Sequence, residues 1–225
     1  MNIEKALDDC KIYLNQIKQY DPDPFYVKHF FNKFIDSVNI ILEGIFEEAN
    51  RDFGLFITEK ISYEGFHQKA KTKNDVKAVR FSEWYKDKFN QEHSSKLPKM
   101  IKKICDLKKY HNTLPEIKIM MRAQDRYEDD INQQIMVGLS HEKLRSKEEL
   151  KIEMKRQLPL FLEVINHKRK EKSEPSVGEN QVITSAFIGV EDVFEIAYAA
   201  EIYIPVLERI VEESRKKIKE LTNWD

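Results

Sequence analysis

The chain has 225 residues, 38 basic and 39 acidic side chains, and a formal net charge of -1. That balance excludes a polyanion-binding surface spread over the whole molecule and leaves only a local basic face open. Two cysteines cannot build a disulfide framework or a zinc knuckle, and no apolar run approaches the ~20 residues needed to cross a bilayer.

Hydrophobic residues make up 41% of the chain and aromatic residues 11%, which is enough for a sizeable core. Charged residues reach 34%, against a usual quarter, and there are only 6 glycines. This combination predicts long helices with solvated outer faces, organised as a single domain over 1–225. The N-terminus, MNIEKALDDCK, carries both signs of charge and no signal-peptide core. A cytoplasmic location is therefore expected, with Cys10 and Cys105 as buried free thiols.

Residues 2–19 place Ile3, Leu7, Cys10, Leu14 and Ile17 on one helical stripe. Asp21-Pro22-Asp23-Pro24 ends that helix, because a proline disfavours helix in the residue before it. The same segment starts the next helix, with Asp23 as N-cap and Pro24 in the first helical position. Residues 25–53 form the strongest pattern in the chain. Phe30, Phe31, Phe34, Ile35, Val38, Ile41, Leu42, Ile45, Phe46, Ala49 and Phe53 recur at steps of three and four, the period of a helix with one broad apolar face. At 1.5 Å per residue such a helix is about 40 Å long and would be the spine of a bundle.

Residues 54–75 read as a turn, a short helix and a loop. Residues 79–89 carry Phe81, Trp84, Tyr85 and Phe89 at helical spacing, a pattern that belongs to a core. Residues 97–110 turn Leu97, Met100, Ile101, Ile104 and Leu107 inward and many lysines outward. EIKIMMR, residues 116–122, reads as a short strand. Residues 124–134 fit a hairpin tip and 134–139 a return strand. Ser146 with Glu149 fits a capping box for a helix over 147–167 that Pro159 would kink. Residues 168–180 read as a mobile charged loop, and 181–188 lean to strand. The last helix is expected over 191–221, with a Pro205 kink and a basic end. The predicted class is mainly α, a helical bundle with a small β-hairpin or three-strand element at about 116–139 and 181–189.

Chemistry is sparse. The sequence has no G-x-S-x-G, P-loop or G-x-G-x-x-G, and no histidine lies close to either cysteine. Only Glu64-Gly65-Phe66-His67 has the Glu-x-x-His spacing of a di-iron bundle, and it has no second copy. No cofactor or metal is expected. Asp125, Glu128, Asp129 and Asp130 read as a solvated hairpin tip. His29, among spine residues, reads as a partly buried, hydrogen-bonded histidine.

His111 follows Lys108-Lys109-Tyr110 and precedes Asn112. A histidine among lysines suits a phosphodiester, since His titrates near neutrality and Lys stabilises phosphate charge. The same residues equally suit a helix C-terminus whose cations answer the dipole and whose Asn112 caps it.

Three patches in order resemble the HEPN-like helical proteins of bacteria and archaea. The first is FFNKFIDSVNIILEGIF, residues 30–46, similar to the long helix of that group. The second is FSEWYKDKF followed by LPKMIKKICDLKKYHN, residues 81–112, similar to its F-x-x-W-Y helix and the segment after it. The third is VEDVFEIAYAAEIYIPVLERIVEE, residues 190–213, similar to its closing helix after a short β segment. The resemblance covers about half the chain. It implies a bundle of four or five helices, a homodimer, and in many members metal-independent RNA cleavage by an arginine and a histidine facing a dimer cleft. Here no histidine has an arginine five to seven positions before it. Lys108 and Lys109 stand at the aligned place, directly ahead of His111. The expectation is a non-catalytic homologue that dimerises and binds a partner such as RNA or a nucleotide, without a membrane role. One alternative is a divergent ribonuclease using His111, Lys108 and Lys109. The other is a helical scaffold for protein interactions.

Overall fold

The computed structural model describes residues 2–59, 61–124, 147–189 and 193–223. The described elements run α1 (Ile3–Tyr20), α2 (Pro24–Asp52), α3 (Tyr63–Thr72), α4 (Val76–Glu92), α5 (Lys96–His111), β1 (Ile117–Ala123), α6 (Lys147–Glu171), β2 (Val182–Gly189), β3 (Val193–Glu195) and α7 (Ile196–Thr222). The class is mainly α with a small antiparallel sheet, as the periodicity predicts. The chain groups into two compact units, one of residues 1–14, 32–113 and 199–225, the other of residues 15–31 and 114–198.

The first unit is a helical bundle. On α2, Phe34, Ile35, Val38, Ile41 and Ala49 are fully buried. Phe34, Val38 and Ile41 sit three to four residues apart, Ile35 flanks them and Ala49 lies about two turns on, so they share one broad face, as the spine pattern requires. Phe46 continues that face and meets Phe66 of α3 and Phe81 and Tyr85 of α4, with ring centroids 4.6–6.2 Å apart. Each such ring, fully buried, contributes about 1.5–3 kcal/mol. The cluster confirms Phe81 and Tyr85 as core, while Trp84 is half-buried. Cys10 and Cys105 are buried free thiols.

Helix ends follow the chemistry of their capping residues. The Ser62 hydroxyl accepts from Gly65 N at 3.1 Å, and the Asp75 carboxylate accepts from Ala78 N at 2.9 Å. Asn112 closes α5 in the left-handed region at φ 51°, its N–H donating to Lys108 O at 3.0 Å. Asparagine tolerates that conformation better than most residues. Arg215 of α7 joins Glu4 of α1 at 2.6 Å and Glu48 of α2 at 2.6 Å, an ionic staple across three helices.

The second unit holds the sheet, ordered β1-β2-β3 and antiparallel throughout. Ile117 pairs with Ile188 and Ala123 with Val182, so β1 and β2 align along their lengths. Phe161 and Ile165 of α6 pack on Met121, Ala123 and Val177. Asp23 caps α2 as expected, its Oδ1 accepting from Phe25 N at 3.0 Å and Tyr26 N at 3.2 Å. The neighbouring Asp21 has another task. Its Oδ1 accepts from Ala186 N on β2 at 2.7 Å. Burial, reinforced by the Glu195 charge, pushes its carboxyl up to about 7, although the Ala186 and Ser185 bonds and Arg122 act the other way. Arg122 Nε itself donates to Glu195 at 2.8 Å.

Three expectations change. The last helix begins at Ile196 rather than 191, because Val193, Phe194 and Glu195 pair with Gly189, Ile188 and Phe187. Residues 168–180 are not a free loop. α6 runs on to Glu171, and the segment after it is tied back to that helix. The Asn166 side chain accepts from Val177 N at 2.7 Å and donates to Val177 O at 3.0 Å, while the buried Arg169 donates to Pro175 O at 2.9 Å. His29 is exposed rather than partly buried, because the buried face of α2 at this point is made by Val27 and Phe31. The acidic tip at 125–130, the return strand at 134–139 and the Ser146 cap lie outside the described residues.

Candidate functional site

The basic end of α5 carries the three residues singled out by sequence. Helical spacing separates them. Lys108 Nζ lies 3.9 Å from Asp36 of α2, and Lys109 Nζ lies 3.4 Å from Glu43. His111 is exposed in the last turn and makes no hydrogen bond or ion pair with any described residue. Both lysines are thus answered by carboxylates, and no described residue orients the imidazole. A general base needs its orientation set by a partner and a reacting group within hydrogen-bond reach. The three residues share a helix end, with Lys108 and Lys109 each beside a carboxylate of α2 and His111 exposed.

Lys109 belongs instead to a cleft of about 410 Å³ among α2, α3, α4 and α5. That volume falls in the ~300–1,000 Å³ range of small-molecule sites. Helical period explains the lining. Asn39, Glu43 and Phe46 lie along one face of α2, Tyr85 and Phe89 are one turn apart on α4, and Lys102, Asp106 and Lys109 are successive turns of α5. Phe46, Tyr85 and Phe89 give the cleft an aromatic wall. Tyr85 lies edge-on to Phe46 at 4.6 Å and stacks on Phe89 at 5.7 Å.

Two largely buried polar residues belong to its lining. Glu43 is 7% exposed and Tyr85 is 5% exposed, and both line the cleft. No described residue hydrogen-bonds the Tyr85 hydroxyl. Burial raises its pKa, so it stays protonated and keeps a donor to offer. Nearer the mouth, desolvation raises the Asp106 carboxyl, Lys102 and Lys109 oppose that, and Glu64 adds to it. Lys102 Nζ is 3.9 Å from Asp106 and 5.9 Å from the Phe89 ring centre, so its charge is shared between a carboxylate and an aromatic face. Cys105 also lines the cleft, but burial pushes its thiol up and leaves no thiolate for nucleophilic work.

The other candidates are structural. His67 of the Glu-x-x-His pair is bonded to the Ser82 hydroxyl at 2.7 Å. Among the described residues no group of three or more metal-ligating side chains forms. His93, which sequence reading passed over, is buried. Its Nδ1 donates to Phe89 O at 2.7 Å and its Nε2 accepts from the Tyr203 hydroxyl at 2.8 Å. Burial lowers its pKa, so it is a neutral link between α4 and α7. Glu43 was also missed, although a carboxylate between Leu42 and Ile45 on the apolar face of α2 is a visible anomaly in the sequence. The periodicity places Tyr85 in the core, and nothing in it signals that the residue also lines a cleft. Among the described residues, no helix is long and apolar enough to cross a membrane.

No protein-family model, curated protein or solved structure matches this chain.

Proposed function

We propose that this chain is a non-catalytic, HEPN-like binding protein whose ligand is a nucleotide-sized molecule held in the α2–α5 cleft. The observation that carries this reading is the Tyr85 hydroxyl. Tyr85 is 5% exposed and lines a cavity of ligand size beside an aromatic wall, and no described residue hydrogen-bonds its hydroxyl. A ligand acceptor placed there would give this donor a hydrogen bond worth about 0.5–1.5 kcal/mol net. Phe46, Tyr85 and Phe89 offer a planar base aromatic contact, and the amides of Asn39 and Asn90 add donors and acceptors.

The same geometry supports binding over catalysis. Lys108 and Lys109 are engaged by Asp36 and Glu43, His111 has no partner among the described residues, and the arginine of the family pattern is missing. A lysine cannot reproduce the bidentate contact of a guanidinium with phosphate. This reading also has the chain dimerise, which light scattering coupled to size exclusion would check. The deciding experiment is a thermal-shift and calorimetric screen of nucleosides, nucleotides and short single-stranded RNA. A ligand at 100 times its Kd stabilises the fold by about 2.7 kcal/mol. Saturable binding of a nucleoside or nucleotide that weakens in Tyr85→Phe supports the proposal. Absence of binding by every compound would refute it.

A further inference from the structure

The charges that line the α2–α5 cleft balance. Among the described residues they are the carboxylates of Glu43, Glu64 and Asp106 and the ammonium groups of Lys86, Lys102 and Lys109. Two of these pairs are closed within the wall, with Lys109 Nζ 3.4 Å from Glu43 and Lys102 Nζ 3.9 Å from Asp106. Lys86 and Glu64 are left over. Both are exposed, and neither side chain makes an ion pair or hydrogen bond with a described residue. Lys86 sits one helical turn before Asn90 on α4, and both line the cleft, so a cation and an amide share one strip of its edge. Burial raises the Asp106 carboxyl and the Glu64 charge adds to it, so two acids already act on each other in this lining.

Resting on the nucleotide reading above, we propose that the cleft takes nucleosides and nucleoside monophosphates and turns away triphosphates, with Lys86 as its phosphate contact and Glu64 as the charge that repels a longer phosphate chain. One phosphate brings a charge of about −1.5 to −2 near neutral pH. Lys86 answers much of it, and the Asn90 amide adds a donor. Each further phosphate adds negative charge with no second ammonium to meet it, because Lys102 and Lys109 are held by Asp106 and Glu43. Recruiting Lys109 would strip its partner from Glu43, a carboxylate only 7% exposed, and an unpaired buried charge is costly. Like charges set against each other in a site discriminate between ligands that share every other contact.

The test is calorimetry of the full chain with adenosine, its 5′-monophosphate and its 5′-triphosphate, and with the same three forms of uridine. EDTA is present throughout, so that no divalent cation masks the phosphate charge. In whichever set binds, the monophosphate should bind at least about threefold more tightly than the nucleoside, and the triphosphate at least about tenfold more weakly than the monophosphate. Lys86→Gln should weaken the monophosphate about three- to tenfold more than the nucleoside. Glu64→Gln should narrow the triphosphate penalty to within about threefold. Both side chains are exposed, so neither substitution opens the core. A triphosphate that binds as tightly as the monophosphate would overturn the limit and leave the nucleotide reading standing. So would a monophosphate advantage unchanged in Lys86→Gln, or a triphosphate penalty unchanged in Glu64→Gln. No binding of any of these compounds would remove the nucleotide reading itself, and the limit with it.

Discussion

Asp21→Asn should abolish a pH dependence of stability that a single carboxyl builds into the second unit. In the folded chain Asp21 Oδ1 accepts from Ala186 N at 2.7 Å. Burial and the Glu195 carboxylate nonetheless push this carboxyl from 3.8 up to about 7, against the pull of the Ser185 and Ala186 bonds and of Arg122. A carboxyl raised in the folded state favours folding while protonated. Its contribution is fully present below the unfolded value of 3.8 and is lost as the pH rises through about 7. At about 1.4 kcal/mol per pH unit, the whole interval amounts to at most about 4 kcal/mol. About 2–3 kcal/mol of this falls between pH 5 and pH 8. Asparagine is neutral throughout and keeps an oxygen for the Ala186 N–H. Urea unfolding of both proteins at several pH values from 4.5 to 8 isolates the effect, because other titrating groups are common to the two. Between pH 5 and pH 8 the natural chain should lose about 2–3 kcal/mol more than Asp21→Asn. Parallel profiles, or a natural chain that gains on the variant as the pH rises, would refute the reasoning.

Phe34→Ala or Ile41→Ala, both fully buried on α2, should each cost about 2–5 kcal/mol through lost transfer energy and the cavity left behind, read as a lower urea midpoint. Arg215→Ala should cost about 1–2 kcal/mol by releasing Glu4 and Glu48 from the three-helix staple, with Arg215→Lys recovering part of it in the same thermal melt. His111→Ala should leave the melting temperature and ligand binding unchanged, since no described residue bonds its ring. The natural chain should show no metal-independent cleavage of single-stranded RNA in the presence of EDTA. Cleavage that disappears in His111→Ala would overturn the binding reading in favour of a ribonuclease.

Much of the fold was legible because local rules decided it. The stripe from Phe34 to Ala49 has the period of a helix, and burial on one face of α2 follows from that period alone. Asp23 before Pro24 and Asn112 after His111 marked helix ends through their own backbone and side-chain chemistry, and both cap as read. The strand at 116–122 and the β-leaning segment at 181–188 were also visible as elements, within a residue or so of their ends.

Pairing and placement were decided only in three dimensions. Val193, Phe194 and Glu195 became a strand because β2 offers them partners, although the local pattern there also continues a helix. The charged segment after α6 is held by Asn166 and Arg169, whose side chains reach backbone atoms six to eleven residues away. Composition is blind to such bonds. The candidate site shows the same division. Lys108, Lys109 and His111 are adjacent in sequence, yet only Lys109 lines the cleft, because successive helical residues point about 100° apart. Glu43, Tyr85 and Asp106 come from three helices and meet only when those helices pack. Periodicity tells which face of each helix turns inward. Whether the inward faces close tightly or leave a cavity lined by a tyrosine depends on the shapes of side chains far apart in the chain, and packing alone settles it.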